Sequence, residues 1–220
     1  MATENHIEVK KTARYFTLGE LSKNTKQLWI VLHGYGYHAA FFIEKFKAII
    51  DEETVVVAPE GLSKFYKEGF SGKVGASWMT KEDRLNEIKD QIYYLNHLTE
   101  TLLQQVDKNN ISINVLGFSQ GGATLIRWLN DRKIKAHNLI LWATSIPNDF
   151  DYAANKDLFE ASNNYFFLGK QDPFMKWISP KELEKKLDNY KIDFNITWFE
   201  GEHDIPKEEL LKLNDYINEK

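Results

Sequence analysis

Hydrophobic and polar positions alternate between two periods along this chain, and the alternation predicts an open sheet layered with helices. Short apolar runs at Leu28–Leu32, Thr54–Ala58, Ile111–Leu116, Leu139–Ala143 and Tyr165–Leu168 are each bounded by Gly, Pro or polar residues. Runs of that length with no polar face read as parallel strands buried on both sides. Between them lie segments with helical spacing, at Ala39–Ile50, Arg84–Val106, Ala123–Asn130 and Pro180–Asn189. The long one is clearest, with Leu85, Ile88, Ile92, Leu95, Leu102 and Val106 forming one apolar stripe. The last strand, Ile192–Phe199, instead alternates apolar with polar residues, which predicts one wet face and a place near a sheet edge. A closing helix follows Pro206. At the other end, His6–Lys10 and Arg14–Leu18 alternate in the same way and predict an antiparallel hairpin at the N-terminal edge.

Strands alternating with helices imply an α/β fold: a mostly parallel, twisted sheet with helices on both faces. Such sheets place their functional groups at the carboxyl ends of the strands. No repeat, low-complexity tract or flexible linker divides the sequence, so residues 1–220 are expected to form a single domain.

The expected chemistry lies at one of those carboxyl ends. Val115-Leu116-Gly117-Phe118-Ser119-Gln120-Gly121-Gly122 matches the pattern G-x-S-x-G between an apolar strand and a helix. A serine on so tight a corner occupies a sparsely populated backbone region, and Gly117 and Gly121 give the chains room to pass. The following helix directs its free amides and positive dipole end at whatever Ser119 attacks. Ser119 is therefore the candidate nucleophile, and Gln120 offers a backbone amide to a developing oxyanion.

A serine hydroxyl needs a base, and the base needs an orienting group. Downstream of Ser119 there are two histidines, His137 and His203. His137 precedes its strand and falls at the wrong edge. His203 follows the last strand in Glu200-Gly201-Glu202-His203-Asp204, at the right one. For the acid, Asp172 stands just beyond Tyr165–Leu168; Asp149 and Asp151, after the preceding strand, are its competitors. A second oxyanion donor is expected after the first long strand, in Leu32-His33-Gly34-Tyr35-Gly36, from the backbone amide of Tyr35, with His33 a structural residue beneath the loop. The long aromatic segment from Gly61 to Thr80 supplies candidate substrate contacts in Phe65, Tyr66, Phe70 and Trp78, joined by Phe174 and Trp177.

These residues together resemble the α/β-hydrolase superfamily, and more narrowly its small carboxylesterase and acyl-protein thioesterase branch, in which a G-F-S-Q-G-G elbow is typical and a large cap domain is absent. The resemblance runs from about Leu28 to His203. It implies a triad of Ser119, Asp172 and His203 with Tyr35 and Gln120 at the oxyanion hole, acting on a small ester or acylated substrate through an acyl-enzyme, without metal or organic cofactor. The sequence departs from the branch in carrying Tyr35, Tyr37 and His38 after His33, and Pro173-Phe174-Met175 after Asp172. A peptidase on the same fold and a non-catalytic binding module remain the other readings.

Composition narrows this further. A net charge of -4 with no basic block excludes a general nucleic-acid binder, and the lack of cysteine removes disulfides, thiolate metal sites and a cysteine nucleophile. Met1 to Lys11 is charged throughout and lacks the apolar stretch of a secretory signal, and no apolar run approaches a membrane span. A cytoplasmic protein, monomeric or homodimeric, is expected.

Overall fold

The computed structural model describes residues 2–174 and 179–219. Its strands and helices follow in the order β1 (Tyr15–Leu18), β2 (Gln27–Leu32), α1 (Ala39–Phe42), β3 (Thr54–Pro59), β4 (Ser63–Glu68), β5 (Ser71–Ser77), α2 (Arg84–Leu103), β6 (Ser112–Phe118), α3 (Gln120–Leu129), β7 (Asn138–Trp142), α4 (Lys156–Glu160), β8 (Asn163–Gly169), α5 (Pro180–Tyr190), β9 (Asn195–Phe199) and α6 (Lys207–Asn218). Seven strands form one sheet in the order β1-β3-β2-β6-β7-β8-β9. All neighbours run parallel except β1, which pairs antiparallel with β3.

Side-chain alternation along the strands explains the two-faced core. Leu28, Ile30, Leu32, Val115, Leu139, Leu141 and Phe166 face a cluster with α2, α3 and α5 through Leu95, Leu102, Leu125, Trp128 and Leu183. Their neighbours Trp29, Val31, Leu116, Phe118, Ile140, Trp142 and Phe167 face the other way, onto α1, the turn after it and α6 through Phe42, Phe46, Leu210 and Leu213. Helices therefore cover both faces, as the continuous apolar runs predict.

At the amino ends of the central strands a row of amides crosses the sheet, buried at Asn114 and Asn138 and open to solvent at its ends. Asn114 Nδ2 donates to Gln27 Oε1 at 3.0 Å, Asn138 Nδ2 to Asn114 Oδ1 at 2.7 Å, and Asn163 Nδ2 to Asn138 Oδ1 at 3.1 Å.

Four expectations need correction. The N-terminal hairpin does not form: β1 is an edge strand paired with β3, and residues 2–14 form an arm without a strand or ladder. With β3 as the partner of β1 instead, the apolar residues of the first alternating segment, Ile7 and Val9, stay 88% and 78% exposed. The segment Ala39–Ile50 is α-helical only to Phe42 and continues as a 3₁₀ turn over Ile43–Ile49. Its buried residues Ile43, Phe46 and Ile49 fall every third place, the repeat of a 3₁₀ helix rather than an α-helix. The aromatic stretch expected as a loop after Gly61 is a two-stranded hairpin of β4 and β5 standing apart from the main sheet. Finally, α3 begins at Gln120, immediately after Ser119, and not at Ala123.

Candidate active site

Ser119 sits between the last residue of β6 and the first of α3 with φ 55° and ψ -120°, a conformation that favours glycine and costs a serine roughly 1–3 kcal/mol. Tertiary bonds hold it there. Its N–H donates to the Trp142 carbonyl at 2.9 Å and its carbonyl accepts from Thr144 Oγ1 at 2.7 Å. The flanking glycines are required by space: a Cβ on Gly117 would stand 2.6 Å from Gly122 Cα, and one on Gly121 would enter the Leu32 carbonyl oxygen. Being the first residue of a ten-residue helix, Gln120 has no intrahelical acceptor for its N–H.

The loop after β2 packs against this corner, with Gly34 so close that a Cβ there would lie 3.2 Å from the Ser119 Cβ. His33, fully buried beneath it, has partners that fix its tautomer. Gly61 N–H donates to Nε2 at 3.0 Å, so the proton is on Nδ1, which donates to the Gly34 carbonyl at 2.7 Å. Burial lowers the His33 pKa to about 4, against the opposing pull of the Gly34 carbonyl and Glu60, and the ring stays neutral. A planar trans peptide sets its C=O and N–H on opposite sides, so tethering the Gly34 carbonyl also fixes the direction of the Tyr35 N–H. Among the described residues neither the Tyr35 nor the Gln120 backbone N–H has a protein acceptor.

Two further loops meet at the same edge. Lys170 N–H donates to the Phe199 carbonyl and Gln171 N–H to the Gly201 carbonyl, both at 2.9 Å, while Gly201 N–H returns a bond to Gln171 Oε1. This lacing brings Asp172 Oδ2 within 2.6 Å of His203 Nδ1. The Asp172 side chain is wholly buried, and its other oxygen accepts from the Phe174 N–H at 2.8 Å. The His203 ring packs against the rings of Phe118 and Phe174, with centroids 4.8 and 4.7 Å away. Ser119 Oγ makes no protein hydrogen bond among the described residues.

The competing residues lie elsewhere. Asp149 is bound by Arg84 and Arg127; burial raises its pKa, but those hydrogen bonds outweigh burial and keep it ionised below the usual range. Asp151 Oδ1 accepts from the Ala154 N–H. His137 accepts from the Ile113 N–H, at the amino ends of the strands.

The aromatic candidates divide. Tyr35, in the loop after β2, and Phe65 stack with centroids 5.1 Å apart, and Phe174 lies edge-on to His203. Tyr66 is half exposed on β4, and Phe70 stands clear of the protein at the hairpin tip. Trp78 is not a pocket wall: it is fully buried, its Nε1 donates to the His33 carbonyl at 2.7 Å, and the cavity it borders with Met79 and Gln91 holds about 10 Å³, room for one water rather than an acyl chain. Trp177 lies outside the described residues.

Sequence reasoning missed Thr144, Trp142 and the side chain of Gln120. Gln120 Oε1 accepts from the Trp78 N–H at 3.0 Å and its Nε2 donates to the Met79 carbonyl at 2.8 Å, fastening the end of β5 to the elbow. None of these contacts has a local signature, because each joins segments distant in sequence. Among the described residues one group could ligate a metal, Glu4, His6 and Asp83, all exposed in the N-terminal arm and before α2.

Residues 15–220 match the family model of phospholipases and carboxylesterases. The chain belongs to the phospholipase/carboxylesterase family. That family is one of hydrolases, on the α/β-hydrolase fold expected from the elbow. Solved structures share that fold at low identity. An uncharacterised Bacillus cereus protein is 18% identical with a TM-score of 0.69, over 98% of this chain and 64% of its own, so this chain spans less than two thirds of that protein. A Mesorhizobium loti carboxylesterase is 14% identical with a TM-score of 0.68, over 94% of each chain. Zea mays acyl-protein thioesterase 2 is 15% identical with a TM-score of 0.67, over 94% of this chain and 98% of its own. No curated protein matches the sequence. No described helix of this family member is long and apolar enough to cross a membrane.

Proposed function

We propose that this carboxylesterase-family chain is a serine hydrolase, one domain throughout, that cleaves carboxylic esters or thioesters through an acyl-enzyme. The observation that carries the reading is the 2.6 Å bond from the buried Asp172 carboxylate to His203 Nδ1, beside a serine held at positive φ. With Nδ1 committed to Asp172, the other ring nitrogen of His203 is the one that takes the Ser119 proton.

Ser119 Oγ attacks the carbonyl carbon as His203 Nε2 accepts its proton. Negative charge gathers on the carbonyl oxygen, where the N–H groups of Tyr35 and Gln120 and the positive end of α3 stabilise it. The intermediate collapses, the ester or thioester bond breaks, and the alcohol or thiol leaves with the proton from His203. Water then repeats the sequence on the acyl-Ser119 carbonyl and releases a carboxylic acid. Tyr35, Phe65 and Phe174 are the aromatic groups around this centre, and Tyr66 lies farther along β4. They suit a small acylated substrate with an apolar group on either side of the scissile bond.

Treatment with a fluorophosphonate tests the assignment without assuming a substrate. One phosphonyl group per chain on the Ser119 peptide, absent in Ser119→Ala, is the expected result; label elsewhere, or none on folded protein, contradicts it.

A further inference from the structure

Beside the loop after β2 stands an ammonium group that the acyl-transfer steps do not use. Lys67 folds back on Gly36: from where a Gly36 Cβ would stand, Lys67 Cε is 3.5 Å away, Phe65 Cζ 3.8 Å and Lys67 Nζ 3.9 Å. Phe65 and Lys67 both belong to β4, and the register shift between Tyr66 and Glu68 puts Lys67 at a bulge, which re-aims a side chain. The space they fill is open because residue 36 is glycine, at φ 72°.

Backbone contacts fix the hairpin against that loop. Gly36 N–H donates to the Ala76 carbonyl at 2.8 Å, Ala76 N–H donates to the Tyr37 carbonyl at 2.9 Å, and a Cβ on Gly75 would lie 2.5 Å from the Gly36 carbonyl oxygen. Lys67 has no carboxylate partner among the described residues, whereas Lys64 reaches the buried Glu60 at 3.4 Å. Neighbouring Glu68 turns the other way, its Oε2 3.9 Å from where a Gly72 Cβ would stand. Gly34 packs against the Ser119 corner, and the chain from Gly34 to Gly36 spans at most about 7 Å, so the ammonium is within reach of a substrate held at Ser119.

We infer that Lys67 selects substrates that carry a carboxylate at the far end of an apolar stem, an assignment that rests on the ester or thioester reading. Tyr35 and Phe65, stacked with centroids 5.1 Å apart, offer the stem an aromatic wall beside the ammonium. A compact ammonium on a flexible stem acts as a point charge and suits a single negative charge. A phosphate dianion is better met by the bidentate fork of an arginine, and residues 63–77 contain none.

The test compares hydrolysis of the mono-nitrophenyl ester of adipic acid with that of nitrophenyl hexanoate. The enzymes are the native chain, Lys67→Met, which keeps an apolar stem, and Lys67→Arg, which keeps the charge. Thermal melts verify that each variant is folded. In Lys67→Met the KM of the anionic ester should rise roughly fivefold to tenfold relative to that of hexanoate, with Lys67→Arg restoring most of the preference and added salt weakening it in the native chain. An equal change for the two esters, or no change in folded Lys67→Met, overturns the inference while leaving acyl transfer intact. Failure of the acyl-transfer reading looks different: the native chain hydrolyses neither ester, and the assignment of Lys67 falls with it.

Discussion

Asp172 and His203 are joined 2.6 Å apart by loops from adjacent strands, and the joint is built from backbone bonds rather than from the two side chains alone. Gly169 makes the approach possible: a Cβ there would lie 2.5 Å from the carbonyl oxygens of Gly201 and Glu202. The Asp172 carboxylate is thus oriented toward His203 by the backbone itself.

That arrangement sets the effect of Asp172→Asn. The amide preserves volume but presents an N–H or a neutral oxygen to Nδ1, so the ring loses both its tautomer and its charge compensation. Ester hydrolysis should fall roughly 10³–10⁴-fold in kcat with KM little changed. A loss under tenfold, read by steady-state kinetics, would remove Asp172 from the triad.

Ser119 should be worth less to stability than to chemistry. Replacing it with glycine releases the strain at φ 55° and restores some unfolded-chain entropy, two effects of opposite sign. The strain is the larger, and Ser119→Gly should melt higher, by about 1 kcal/mol of added stability. Calorimetry showing a lower melting temperature would mean that the Ser119 backbone is not strained.

His33 gives the fold an acid-sensitive component. Its folded pKa of about 4 lies below the value near 6.5 expected of an unfolded histidine. Above pH ~6.5 both states are neutral and the contribution is fully present. As pH falls toward 4 only the unfolded chain gains the proton, so stability declines by up to about 3 kcal/mol, and below 4 this group adds no further loss. Urea midpoints between pH 7 and 4 should therefore fall more steeply for the native protein than for a folded His33→Gln variant; parallel slopes contradict the burial argument.

The amide row across β2, β6, β7 and β8 predicts a cost for a residue remote from the site. Asn114→Ala removes the acceptor of the buried Asn138 Nδ2 and one of two donors to Gln27 Oε1, which keeps its bond from Trp29 Nε1; the loss should destabilise by about 1–3 kcal/mol with kcat unchanged. Chemical denaturation and the ester assay together distinguish this from a catalytic effect.

Much of the fold was legible because continuous apolar runs and helical stripes carry their own period. The strands of the parallel sheet, α2, α5 and the edge position of β9 all follow from that. What was not legible depends on partners far along the chain. The alternation at His6–Lys10 resembles that of Arg14–Leu18, and only the availability of β3 separates the strand from the arm. Trp78 and Phe65 are both aromatic residues in a glycine-spaced stretch, yet the carbonyl of His33 draws one into the core while Tyr35 holds the other at the rim. The Ser119 corner and the Asp172–His203 pair were easier to expect, because the elbow requires glycines at fixed offsets and few histidines and carboxylates follow strands on that edge.

The central claim is acyl transfer through Ser119, and the most direct measurement is hydrolysis of nitrophenyl esters across a series of acyl lengths by the native protein and Ser119→Ala side by side. The account predicts turnover by the native chain, with a preferred length that sizes the cleft, and loss of at least about 10³-fold in the folded mutant. Equal rates in the two proteins, or no hydrolysis at any length by folded native protein, would contradict it.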